Sequence, residues 1–263
     1  MLTNFAFRHL RQIPALQERF RWVVRHLPSR RRLVEHQGQR LVVDPTELSG
    51  YYLYYEQIYD SEVFQFLENE LPRYTRVIDV GANIGVYTVF FAARVLRVDA
   101  FEPVPEIAAK LRENLELNDL NNVKVYESCV GCQETTVRFS QPKRHNFGTG
   151  HIVTEEGQLS CPCTTLDNFL EGDLTEALLI KMDIEGAEWL AIGGATSLLK
   201  KRKAPLALLL EIHPEQIQGY GGSVEALYMI LIEAGMRVQT ITQGGLESFS
   251  LQAPPRFWWA SIS

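Results

Sequence analysis

No stretch of this 263-residue chain approaches the roughly 18 consecutive apolar residues that a membrane-spanning helix needs. The start also lacks the continuous apolar core and small-residue cleavage site of a secretory signal, so a cytoplasmic location is expected. Internal repeats, low-complexity tracts and long linkers are missing, which excludes a solenoid or a string of modules. Cysteine is scarce. The four residues Cys129, Cys132, Cys161 and Cys163 are spaced C-x-x-C and C-x-C, a pattern open to zinc or disulfide readings. Both pairs lie in or beside strand-like runs, where thiols pack as small apolar groups, and reduced cysteines are expected. Acidic residues are nearly absent from the first forty positions, which hold nine arginines against only Glu18 and Glu35. Those two glutamates argue against an organelle transit peptide. The segment reads as a solvated basic helix flanking the domain, with peripheral contact to an anionic membrane as the sharper alternative. The net charge of -6 argues against a general nucleic-acid binder.

The hydrophobic content of 46% is ample for a core. From Arg76 onward strand and helix patterns alternate. Strands are predicted at 76–80, 96–101, 123–130, 178–183, 206–212, 236–242 and 257–262; helices are predicted at 84–94, 105–118, 187–200 and 223–234. Such alternation implies a mostly parallel sheet covered on both faces. Only Gly244-Gly245 and Pro254-Pro255 punctuate the chain between the last two strands, so these should pair antiparallel. Extra strands and a long loop, with His145 and His151 on it, are expected between the third and fourth parallel strands. Residues 1–37 read as mostly helical, 41–45 as a short strand and turn, and 51–71 as a helix. The expected division is a helical extension and substrate-side cap over 1–75 and a catalytic domain over 76–263.

The most informative segment is Val77-Ile78-Asp79-Val80-Gly81-Ala82-Asn83-Ile84-Gly85. It reads as a buried strand entering a tight turn and a helix, and the next strand ends at Glu102. This is the arrangement that an adenosine-containing cofactor requires of an open α/β sheet. The helix N-terminus offers N–H groups to an anion, and the acid can accept bonds from a ribose diol. A nicotinamide dinucleotide calls for G-x-G-x-x-G, because its pyrophosphate needs two close backbone approaches. Here Asn83 holds the middle position, and Asp79 sets a carboxylate suited to an ammonium group beside the turn. Both features favour S-adenosylmethionine over a dinucleotide-dependent oxidoreductase.

Four blocks, Val77–Thr88, Phe101-Glu102-Pro103, Thr165-Leu166-Asp167 and Lys181-Met182-Asp183-Ile184-Glu185-Gly186-Ala187-Glu188, together resemble the FkbM-type S-adenosylmethionine-dependent methyltransferases. The match runs from residue 56 to about 240 in the same order. The resemblance implies a Rossmann-like seven-stranded class I methyltransferase sheet with an antiparallel C-terminal strand. It also implies transfer of a methyl group to a hydroxyl of a sugar, glycolipid or natural product. Carried over by position, Asp79, Gly81, Asn83 and Gly85 resemble the first cofactor motif, and Glu102 the ribose-binding acid. Ser128 and Cys129 fall where the third strand would end near the adenine. Asn146 and Gly148 resemble an Asn-x-Gly element of a substrate loop, where His151 is a further candidate.

Asp183, at the end of the fourth strand, is the leading candidate base, with N-capping of the next helix as its structural alternative. Glu185 is a second acid candidate, and Glu188 a first-turn capping residue. His213, at the end of the fifth strand, is a candidate to orient the acceptor or share the base role. Asp183, Glu211 and His213 are donor types that suit a divalent cation, but no tight ligand spacing supports one and no metal is expected. Glu56 and Tyr59 are candidates for the rim of the substrate site. An N-methyltransferase of the same fold and a non-catalytic cofactor-binding module remain as alternatives.

Overall fold

The computed structural model describes residues 14–139, 152–153, 159–171, 175–202, 204–251 and 255–262. Its elements in chain order begin with α1 (Pro14–Arg25), β1 (Arg32–His36), β2 (Gln39–Val43), α2 (Leu48–Tyr51), α3 (Ser61–Glu70), β3 (Arg76–Val80), α4 (Val86–Ala92), β4 (Arg97–Phe101), α5 (Pro105–Glu116) and β5 (Val123–Tyr126). They continue with β6 (Cys129–Val130), β7 (Thr135–Phe139), β8 (Ile152–Val153), β9 (Leu159–Thr164), α6 (Leu166–Phe169), β10 (Leu178–Met182), α7 (Glu188–Gly193) and α8 (Thr196–Lys201). The last are β11 (Leu206–Glu211), α9 (Pro214–Gly219), α10 (Val224–Glu233), β12 (Arg237–Thr242), β13 (Gly245–Ser248) and β14 (Phe257–Ile262). Asn146, Gly148, His145 and His151 lie outside the described residues, as does the basic segment before Pro14.

The main sheet has the order β5-β4-β3-β10-β11-β14-β12-β13. Strands β5, β4, β3, β10 and β11 run parallel, and β14 inserts antiparallel between β11 and β12. This is the expected Rossmann-like class I methyltransferase sheet, mostly parallel with an antiparallel C-terminal strand. An eighth strand, β13, extends it as a hairpin with β12; the glycine pair read as a simple connection is where that hairpin turns. The central strands β3, β10 and β11 are buried along their whole length and are mostly apolar, with Arg76, Asp79, Lys181 and Glu211 as their charged members. Alternate side chains feed two cores. Val77, Leu209 and Trp259 pack with α3, α4 and α5 on one face. Ile78, Leu208 and Trp258 pack with α7, α8 and α10 on the other. Strand order reverses between β3 and β10, so the crevice for a ligand opens at their carboxyl ends.

Several predicted elements differ. Residues 32–37 are not helical, because Arg32–His36 pairs antiparallel with Gln39–Val43 around Gln37 and Gly38, both at positive φ, as a tight hairpin turn requires. Leu41 and Val43 on that hairpin are buried in the main core. Burying each contributes about 1.5–3 kcal/mol, more than helix propensity differences of about 0.7 kcal/mol or less per ordinary residue. The predicted helix over 51–71 is broken. α2 widens into a π-helical turn over Tyr52–Glu56, Gln57 and Asp60 take left-handed conformations, and α3 then begins. The interruption turns Glu56, Tyr59 and Asp60 toward one cavity. The helix over 187–200 is two, α7 and α8. The second is capped by Asp167, whose carboxylate accepts from Ser197 N at 2.8 Å and Leu198 N at 2.7 Å.

The strand predicted over 123–130 also divides. β5 belongs to the main sheet, while β6 starts a second, four-stranded sheet, β6-β9-β7-β8. Three cysteines line its interior, with Cys129 Sγ 3.2 Å from Cys161 Sγ and Cys163 beside them. All four cysteines are free thiols. Helix α1 rests on the tyrosine turn through Phe20 and Val24, and Arg21 Nη2 donates to Tyr52 Oη at 2.7 Å. Trp22 on the same helix is 63% exposed. No helix among the described residues is long and apolar enough to cross a membrane.

Candidate functional site

A cavity of 540 Å3 opens at the carboxyl ends of β3, β4, β10 and β11. Its first end is built by the turn after β3. Gly81 has φ +79°, and a Cβ there would lie 2.0 Å from the Asp183 carbonyl oxygen. A glycine is therefore demanded by the neighbouring β10 chain as much as by any ligand. Gly85 starts α4 at φ +93° with Leu111 of α5 against it, 2.3 Å from an added Cβ. It permits close packing onto α5 and does not line the cavity. Asn83, also left-handed, accepts from Ile84 N at 2.7 Å and lines the cavity.

Glu102 is buried at the end of β4 and faces the cavity. One of its oxygens accepts from Asn83 N at 3.0 Å and the other from Val104 N at 2.9 Å. Burial raises its pKa to about 7, against the pull of these two amides. Each oxygen keeps a lone pair for a ribose hydroxyl. Ser128 and Cys129 do border this end, but not as the end of the third strand. They lie at the crossing into the second sheet, where Ser128 Oγ donates to Pro162 O at 2.9 Å.

Asp79 departs from its expected role. It is fully buried and does not line the cavity. Its carboxylate accepts from Thr88 Oγ1 at 2.6 Å and pairs with Lys181 Nζ at 3.3 Å. It therefore braces the turn from beneath. Lys181 also reaches Gly81 O at 3.2 Å and lies 3.7 Å from Asp183 Oδ2. Burial alone would lower the lysine's pKa, but the charges of Asp79, Asp183 and Glu211 outweigh it and raise it.

The other end of the cavity is crowded with carboxylates. Met182 pairs with Leu210 in the parallel register, so Asp183 follows level with Glu211. His213 lies two residues farther along an extended backbone, and alternation returns it to the Glu211 side. Burial raises the Asp183 pKa to about 8, with Lys181 opposing and Glu211, Glu185 and Glu188 adding to it. His213 Nε2 lies 3.2 Å from Glu211 Oε1. This contact, against burial, raises the imidazole pKa. Arg256 donates from Nε at 2.7 Å and Nη2 at 2.6 Å to the same Glu211 oxygen. Burial would raise Glu211, but His213 and Arg256 hold it below the usual carboxylate range. Asp60, 3.7 Å from Arg256, accepts from Tyr87 Oη at 3.1 Å, and burial raises its pKa. The arrangement can hold a cation, or take a proton from an acceptor held beside it.

The fold thus brings Asp183, Glu185 and His213 together with Gly81, Asn83, Glu102, Ser128 and Cys129 around one space, with Glu56 and Tyr59 on its wall. Asp183 does not cap α7; the helix begins after Ala187 with no side-chain cap. Glu188 accepts from Ile184 N at 2.8 Å, so it ties the loop before the helix and does not cap the helix itself. Glu185 accepts from Gln216 Nε2 at 2.7 Å. Sequence reasoning missed Asp60, Arg256 and the buried contacts of Lys181. Arg256 carries no local signal, because its partner Glu211 is brought near only by the antiparallel pairing of β14 with β11. Asp60 had one available signal, an acid directly before the Ser61 helix start.

The model of the FkbM methyltransferase domain matches residues 79–238. The chain is 24% identical over 226 residues to AMB antimetabolite synthetase AmbE of Pseudomonas aeruginosa, covering 70% of this chain and 10% of that protein. It is 22% identical over 136 residues to methyltransferase 1 of Beauveria bassiana, covering 43% of this chain and 55% of that one. It thus spans a tenth to about half the length of these curated relatives. Among solved structures, methyltransferase FkbM of Methylobacillus flagellatus KT is similar at 19% identity and a TM-score of 0.44, covering 72% of this chain and 44% of that one. TYW2 of M. jannaschii, solved with AdoMet, is similar at 13% identity and a TM-score of 0.44, covering 90% and 85%. With the family model spanning residues 79–238, more than half of the chain, the chain belongs to the FkbM methyltransferase family.

Proposed function

We propose that this chain is an S-adenosylmethionine-dependent methyltransferase that methylates a hydroxyl of a sugar, glycolipid or natural product. One observation carries the reading: a single cavity joins Gly81, Asn83 and Glu102 at one end to Asp183, Glu211 and His213 at the other. Glu102 would hold the ribose of the cofactor, and the turn at 81–83 its amino-acid moiety. The cofactor supplies an electrophilic methyl group when bound. The chain aligns the acceptor and excludes water, and Asp183 takes the hydroxyl proton with His213 beside it. The raised pKa of Asp183 suits a proton acceptor working near neutral pH. Residues 48–60 would cap the acceptor side, since Tyr52, Ile58 and Tyr59 offer aromatic and apolar wall. The same carboxylates would repel a phosphate backbone, which favours a small molecule or glycan over nucleic acid.

The excess of carboxylates gives specific support to a second reading, N-methylation, because an amine would enter as a cation. Calorimetric titration with S-adenosylhomocysteine and a screen of hydroxyl and amine acceptors with labelled methyl donor test both. Absence of binding, or equal binding by wild type and Glu102→Ala, overturns the cofactor assignment. Label on amines alone overturns O-methylation.

A further inference from the structure

Asp183, Glu211 and His213 each offer a ligand atom, and these atoms all lie within 4.8 Å of one another. Donors at about 2.1 Å from a six-coordinate cation stand about 3 Å apart when adjacent and about 4.2 Å when opposite. Small rotations would therefore bring all three onto one ion. The cluster follows from the sheet: two parallel strands end level, and the histidine continues one of them.

Two further observations point to a cation. The Asp183 carboxylate accepts no hydrogen bond among the described residues, and its charge partner, Lys181 at 3.7 Å, is shared with Asp79. Glu211 spends Oε1 on Arg256 and His213 and keeps Oε2 outside those bonds. Behind them Glu188 is fully buried, and its Oε2 has no hydrogen-bond partner. Among the described residues, six carboxyls, those of Asp60, Asp79, Asp183, Glu185, Glu188 and Glu211, face the cations Lys181, Arg256 and, when protonated, His213. The surplus is negative, and the carboxylate-plus-imidazole donor set suits a hard divalent ion such as Mn2+ or Mg2+.

We propose that Asp183, Glu211 and His213 bind one divalent cation at the acceptor end of the cavity, with Arg256 orienting Glu211 from outside the ligand set. The inference rests on the proposed methyl transfer only for the cation's use, which is to hold and acidify the acceptor hydroxyl while the second oxygen of Asp183 stays available to take its proton. Its binding is measurable without turnover.

The test is titration of chelator-treated full-length protein with Mn2+, read by loss of the free-ion paramagnetic resonance signal. Wild type should bind one ion saturably. Asp183→Asn and Glu211→Gln should each weaken binding by at least about tenfold while S-adenosylhomocysteine still binds. If Glu211→Gln fails to fold on losing the partner of Arg256, His213→Gln carries the same comparison, since among the described residues its ion pair is with Glu211 alone. No saturable binding, or binding unchanged by these substitutions, overturns the site. Saturable binding without methyl transfer to any acceptor leaves the cation site standing and counts against the proposed reaction alone.

Discussion

Lys181 Nζ stands 3.3 Å from Asp79 Oδ1, and both side chains are buried. The two residues face each other directly in the parallel register of β10 and β3. Two sequence blocks a hundred residues apart, each read as part of the site, are thus joined beneath it by an ion pair. Lys181→Met leaves Asp79 as a buried carboxylate without its cation and should destabilise the fold by about 3–5 kcal/mol. Adding Asp79→Asn to that variant should recover most of the loss. Urea denaturation of the two single variants and the double variant measures the coupling; additive losses would mean that the pair is not a unit.

Asn114 ties the N-terminal hairpin to the turn after β3. Its Oδ1 accepts from Val42 N at 2.7 Å, and its Nδ2 donates to Ile84 O at 2.8 Å. Asn114→Ala should cost about 1–3 kcal/mol by leaving buried backbone groups unpaired. Hydrogen exchange should quicken at Val42 before it does in β10 or β11. Exchange that stays slow at Val42 would show that the hairpin is held by Leu41 and Val43 alone.

Cofactor affinity should depend on pH through Glu102. Its pKa in the folded chain is about 7 against an ordinary 4.5. Between those values the folded chain keeps a proton that the unfolded chain has lost. The group's contribution to stability is therefore full below pH 4.5 and disappears as pH rises through about 7. Ribose hydroxyls favour the carboxylate, so S-adenosylhomocysteine should bind more weakly as pH falls through about 7. Glu102→Gln should bind more weakly at every pH and lose that step, as calorimetry from pH 5.5 to 8.5 would show.

Asp183→Asn should keep S-adenosylhomocysteine affinity, because the end of the cavity lined by Gly81, Asn83 and Glu102 is untouched. Turnover should fall by about two orders of magnitude or more. Transfer of labelled methyl to an identified acceptor measures this; unchanged turnover would remove Asp183 from the chemistry.

Much of the sheet was legible in the chain. Strands such as β3 and β11 are buried on both faces, so they are short and mostly apolar and do not show the one-sided pattern of an amphipathic helix. The hairpin at 32–43 was not legible, because its pairing depends on Leu41 and Val43 entering a core assembled from distant residues. The break at 52–60 was hidden by tyrosines at near-helical spacing, which fit a continuous helix and an interrupted one equally well. Asp79 and Gly85 read in the sequence as cofactor contacts, but each answers to a protein neighbour, Lys181 in one case and Leu111 in the other.

Sequence alone determined that a tight glycine turn follows a buried strand, that Glu102 follows the next strand, and that Asp183 and His213 stand at carboxyl ends. These are local facts: residue types, a period of two, and glycines where the backbone must turn. Tertiary structure alone decided which of them meet. Parallel pairing sets Asp183 level with Glu211, the antiparallel insertion of β14 delivers Arg256 to Glu211, and the interrupted helix delivers Asp60. The physical reason is that charge neutralisation and metal-ligand geometry depend on distance through space, which strand order fixes and sequence separation does not record.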